Sequence, residues 1–231
     1  MASMYMRMSV DTLVNVLSVY TTHRLAVDPS AAAIYAAWEP AVTQLEAADD
    51  ALEEAVRGQL RIRARRDLAA LKLTNAIRAF SNRTAELGNG SRRTAVYQTY
   101  FPDGFTAVGR LSPDNLLLTA RTILNRVETE TDPSLKAAGA VLTEAVAAAA
   151  PILAAYRTAV VDVLTKRATL HAARIAWIGA YRRVEGELTA LYPMDRALVR
   201  SYFYKRRASR RKIATEPAGG EVEETSVAGT V

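Results

Sequence analysis

The chain has 231 residues, of which half are apolar and 23% charged, with no cysteine and a formal net charge of +6. The missing cysteine excludes disulfides, thiolate zinc sites and cysteine nucleophiles. The two histidines, His23 and His171, lie far apart, and the places three residues ahead of them hold Tyr20 and Ala168, so the Glu-x-x-His pairing of di-iron bundles is missing too.

There is no Gly-x-Gly-x-x-Gly, no Gly-Lys-Ser/Thr and no His-Glu-x-x-His. The expectation is a non-enzymatic protein with no catalytic residue, cofactor or metal. Aromatic residues make up only 7% of the chain, so its apolar content is largely Ala, Val and Leu. Alanine has the best helix propensity and lets backbones approach, which points to an all-α fold.

Residues 1–8 read as an N-terminal segment. Met1 to Val10 is punctuated by Met and Arg7, lacks an apolar h-region and does not read as a signal peptide, so the expected location is cytoplasmic. Residues 9–110 then read as one helical repeat, with helices over Ser9–Ala26, Pro29–Leu87 and Ser91–Tyr100. Ser9 and Asp28 are N-cap residues, and Gly88-Asn89-Gly90 is a stop signal. In the loop Phe101-Pro102-Asp103-Gly104-Phe105, Pro-Asp-Gly is turn chemistry and the flanking phenylalanines are expected to dock on the body.

Residues 111–212 read as a second repeat, with helices over Ser112–Thr131, Pro133–Ala190 and Pro193–Lys212. Pro113 stands at the first helical position, where its missing N–H is harmless. Ala137 to Tyr156 is the most apolar run, but it is mostly Ala and contains Glu144 and Pro151, so a buried helix is expected over a membrane span. Pro40 and Pro151 are expected to kink or break the two long segments.

The repeats rest on three landmarks. Ser9 to Leu13 matches Ser112 to Leu116 at an offset of 103, and Asp28-Pro29-Ser30 matches Asp132-Pro133-Ser134 at 104. Val96, Tyr100 and Phe101 match Val199, Phe203 and Tyr204 at 103. Trp38, Leu45 and Leu52 are spaced by seven, as are Val163, Leu170 and Trp177. Steps of four join Leu52, Val56, Leu60, Ala64 and Leu68, and also Val160, Leu164, Ala168, Ala172 and Ala176. These stripes predict an apolar seam. A helix of about 50 residues is roughly 75 Å long and needs a long neighbour. The expected architecture is an elongated bundle of long antiparallel coiled-coil-like helices, built by internal duplication of a three-helix unit.

Charge is patterned as well. Glu46, Asp49, Asp50, Glu53 and Glu54 form an acidic block, followed by Arg57, Arg61, Arg63, Arg65 and Arg66. One reading is a solvated face with local ion pairs. The other is a register device in which two copies set block against block, with Asp49, Asp50, Glu53, Arg57, Arg61 and Arg65 as the self-association residues. Tyr202 and Tyr204 precede Lys205, Arg206, Arg207, Arg210, Arg211 and Lys212, a basic helix end that offers nucleic acid or an anionic surface phosphates' natural partners, and rings to stack on bases. Residues 213–231 carry four Glu, no cation and little to bury, and read as a disordered acidic tail.

The function expected from these features is a structural or interaction protein, a homo-oligomeric helical scaffold or assembly component whose partner is itself or another helical protein. The alternative is a nucleic-acid-associated protein binding through its basic C-terminal helix. An integral membrane protein is not expected.

Overall fold

Cap chemistry sets where most of the helical segments begin. A computed structural model describes Tyr5 and residues 8–204, and the basic run and acidic tail lie outside them. Ser9 Oγ accepts from the Thr12 N–H at 3.2 Å and opens a helical segment that passes through a π-helical turn, Thr12–Ser18, into α1 (Val19–Ala26). The wide turn has a tertiary cause. Ser18 donates to the Leu13 carbonyl at 2.9 Å and accepts from Trp177 Nε1 at 2.8 Å, so its hydroxyl is satisfied while wholly buried.

Asp28 accepts from the Ser30 N–H at 2.9 Å and starts a 3₁₀ turn, Pro29–Ala31, which leads into α2 (Ala32–Glu86, 55 residues). At its end the Gly90 N–H reaches back to the Ala85 carbonyl at 2.9 Å, with Asn89 and Gly90 both at positive φ. The next helix starts later than Ser91. Thr94 is the residue that caps, accepting from the Tyr97 N–H at 3.3 Å, and α3 is Ala95–Tyr100. The following turn docks as expected through buried Phe101, and Phe105 opens a further short helix, α4 (Phe105–Val108).

Ser112 caps α5 (Pro113–Val127), which ends four residues short of Thr131. Asp132 accepts from the Ser134 N–H at 2.7 Å and the Leu135 N–H at 3.1 Å and caps α6 (Pro133–Leu191, 59 residues). Asp195 caps α7 (Arg196–Ser201), so the closing helix starts after Pro193. Among the described residues every element is helical.

Neither proline breaks its helix. α2 runs through Pro40 and α6 through Pro151. An interior proline costs about 3 kcal/mol relative to alanine. Trp38 and Leu45 are fully buried around Pro40, and Ala149 and Leu153 are buried around Pro151. Burying a large side chain such as Leu45 or Leu153 contributes roughly 1.5–3 kcal/mol, which offsets the cost of the proline.

At roughly 1.5 Å per residue, α2 and α6 are each more than 80 Å long. Two cores lie along them. One gathers Leu13, Leu17, Leu25, Ile34, Trp38 and Leu45 with Trp177, Tyr181, Val184, Leu188, Val199 and Tyr202. The other gathers Leu73, Ile77, Phe80, Tyr97, Tyr100 and Phe101 with Leu116, Ala120, Ile123, Leu135, Leu142 and Leu153. Trp38 and Trp177 rings lie 5.5 Å apart in the first, Arg66 sits 4.1 Å over the Tyr156 ring between the cores, and Phe80 shares a hollow with Ala138 in the second.

Candidate interaction surfaces

The two ends carry matching side-chain sets. At one end Arg24 donates to Ser201 Oγ at 2.7 Å and stands over the Tyr202 ring, whose hydroxyl donates to Asp28. At the other, Arg126 donates to the Thr99 carbonyl and the Tyr100 hydroxyl donates to Glu130 at 3.0 Å. Arg24 and Arg126, Asp28 and Glu130, Thr99 and Ser201, and Tyr100 and Tyr202 are all separated by 102 positions. Hydrogen bonds from Tyr192 and Tyr202 hold the Asp28 carboxyl below the usual carboxylate range. Burial, then the bond to Asp28, pushes the Tyr202 phenol up.

Burial follows a stepped register. Leu13 and Leu116 are both buried at an offset of 103. After the π turn, Ser18 and Ala120, Thr21 and Ile123, and Leu25 and Val127 are buried at 102, and one residue is what such a turn absorbs. The linker before α6 is longer: Glu130 takes the tyrosine and Asp132 caps the helix, whereas Asp28 does both. From there Trp38 and Leu142, Leu45 and Ala149, and Leu73 and Trp177 are buried at 104. Val96 is exposed and Val199 buried, whereas Tyr97 and Val199, and Tyr100 and Tyr202, are buried at an offset of 102.

Between the cores the spine is thinly covered. From Ala48 to Ala69 no α2 residue is buried, and from Leu153 to Ala173 only Val163 of α6 is. Here the two sequence stripes part company. A step of seven turns a helix by about 700°, nearly two full turns, and holds one face; a step of four gains about 40° each time and drifts off it. Trp38 and Leu45, and Val163 and Trp177, are accordingly buried, while Leu52 and Leu170 on the same seven-step rows are only half-buried. Leu60, Leu68 and Leu164, on the four-step rows, are each more than half exposed, as are Leu71 and Val161.

The charge blocks pair within their own helix. Arg57 meets Glu53 at 2.6 Å and Glu54 at 3.8 Å, and Arg61 meets Glu54 at 3.2 Å. Asp50 and Arg65 are exposed and in no ion pair among the described residues. Partial burial, then Glu53, raises the Asp49 carboxyl. Such exposed pairs are worth well under about 1 kcal/mol each.

Of the aromatic residues proposed to meet nucleic acid, Tyr202 is only 2% exposed and is locked to Asp28, so its ring is not free to stack on a base. Tyr204 is exposed and lies edge-on to Tyr20 at 5.8 Å. Lys205, Arg206, Arg207, Arg210, Arg211 and Lys212 lie outside the described residues. Among the described residues no group of His, Asp and Glu is placed to hold a metal.

A groove between α2 and α6, of about 580 Å³, is lined by Arg65, Leu68, Ala69, Lys72, Asn75, Ala76 and Ala79 on one side. Val141, Glu144, Ala145, Ala148, Ala149 and Ile152 line the other. Sequence periodicity did not reveal it, since alanine suits a closed seam and an open groove equally. No family model matches the chain, and no curated protein or solved structure matches it either.

Proposed function

We propose that the chain is a non-enzymatic helical scaffold that associates with copies of itself along its long helices. The observation that carries this is the bare middle of the spine, where Leu60, Leu68, Val161 and Leu164 stand in solvent between two well-filled cores. Side chains of this size contribute roughly 1–3 kcal/mol each when covered, far more than exposed ion pairs supply. The charge blocks flank this stretch, so reversing their cations opposes association.

The spine is read as an antiparallel, coiled-coil-like pair. Supporting this, residue numbers rise on α2 as they fall on α6 through Trp38 with Trp177, Arg66 with Tyr156, and Phe80 with Ala138. It is read further as a duplicated unit in which the front of each half shares a core with the back of the other. The four residue pairs spaced by 102 support this, as does a register that changes only at the π turn and at the linkers.

Light scattering on the full chain across concentration tests the reading. The expected result is a mass that is a multiple of one chain and that falls in the Arg61→Glu, Arg65→Glu variant. A single-chain mass at every concentration overturns it.

A second reading, nucleic-acid binding through Lys205 to Lys212, is favoured by six cations in eight residues following exposed Tyr204. Salt-dependent DNA binding that disappears in a chain ending at Tyr204 would establish it, and no shift at low salt would remove it.

A further inference from the structure

Building on the scaffold reading, we propose that the groove between α2 and α6 receives the same groove of a second copy of this chain. Two adjoining hollows share Ala76, Ala79 and Val141, so the channel is continuous from Ser134 to Ile152, roughly 27 Å along α6. The most apolar run of α6, Ala137 to Tyr156, is not the buried helix its composition suggests: only Gly139, Leu142, Ala149 and Leu153 are buried in it. A helix this apolar and this bare wants a cover, and an alanine floor lets an incoming helix come close.

The rims say which cover. Arg65 and Lys72 stand on the α2 side and Glu144 on the α6 side, and Glu144 is the sole charged residue between Ala137 and Tyr156. All three are exposed, and none is in an ion pair among the described residues. A two-fold interface sets one patch against itself and therefore needs both signs on opposite sides of its axis. With the axis running along the groove, the cationic rim of each copy lies over Glu144 of the other, and the facing grooves close into a four-helix core. An anionic membrane would match Arg65 and Lys72 and be repelled by Glu144.

The test is the mass and dissociation constant of the full chain by analytical ultracentrifugation. Ala79 and Ala148 are exposed, so Ala79→Glu and Ala148→Glu leave the fold intact by circular dichroism, and each weakens association by about tenfold or more. Lys72→Glu and Glu144→Lys each weaken it as well, and the double swap restores it, an outcome that general damage to the fold does not give. An oligomer unmoved by all four variants overturns the groove and leaves the scaffold reading standing. A single-chain mass at every concentration overturns both. Co-sedimentation with phosphatidylserine vesicles, lost in Ala79→Glu while the oligomer mass stays unchanged, assigns the groove to a membrane and likewise overturns the proposal.

Discussion

The Tyr100 hydroxyl donates to Glu130 Oε2 at 3.0 Å and ties the end of α3 to the linker ahead of α6. Glu130 also accepts from the Thr131 N–H, and these bonds, the backbone one foremost, hold its carboxyl below the usual range. Its contribution is therefore present above the unfolded value near about 4.3 and lost as pH falls through the folded one. Burial, then Glu130, pushes the Tyr100 phenol up to about 12, so its contribution is present below about pH 10 and lost as pH rises towards 12. Urea midpoints against pH check both limbs. Glu130→Gln flattens the acid limb, and Tyr100→Phe flattens the alkaline limb and lowers stability near pH 7 by about 1 kcal/mol.

Gly139 marks a close approach of α5 to α6. A Cβ there would stand 2.6 Å from Val127 Cγ1, and both residues are buried. Gly139→Ala should therefore destabilise by about 1–3 kcal/mol, although alanine is the better helix former. Val127→Ala on the same background should recover part of the loss. If Gly139→Ala melts higher than the parent, the two helices are not in contact at this point.

Pro40 and Pro151 give the opposite expectation. Both are exposed within continuous helices, and each removes one backbone donor and crowds a preceding carbonyl. Pro40→Ala and Pro151→Ala should each stabilise the chain, by up to about 3 kcal/mol, in thermal or urea unfolding. A loss of stability in either would mean that the proline sets a bend the packing depends on.

The helical class and the two long elements were legible because caps and stops are local chemistry. Asp28, Ser112, Asp132 and the Gly88-Asn89-Gly90 stop act through bonds to residues within a few positions of themselves. What escaped sequence reasoning depends on partners far along the chain. Ser18 of the π turn is bonded by Trp177, 159 positions away, and the buried Tyr202 is tied to Asp28, 174 positions away. Ser91 and Thr94 are both cap residues, and it is Thr94 that caps, with Tyr97, its N–H partner, packed into the core. The bare leucines were misread as seam because a step of four resembles a stripe over two turns and leaves the face over four. The groove was hidden because its floor is alanine. The charge blocks could be read as local pairs or as a register device, and within the chain Glu53, Glu54, Arg57 and Arg61 pair locally.

Among the described residues the two cores are joined only by the thin middle of α2 and α6, and that makes their coupling measurable. Both tryptophans, Trp38 and Trp177, lie in one core, with indole N–H bonds to Thr22 at 3.0 Å and Ser18 at 2.8 Å, so tryptophan emission reports that end alone. Circular dichroism reports the whole helix content. Leu73→Ala empties a fully buried position in the other core and should cost about 2–5 kcal/mol there. With Val163 the one buried residue between the cores on α6, little of that loss is transmitted. The variant should lose ellipticity early on heating while its emission midpoint stays close to that of the parent, a departure from two-state behaviour. Leu45→Ala, in the tryptophan core, should move the emission midpoint first. Coincident transitions in both variants would show that the long helices unfold as one unit and carry strain from end to end.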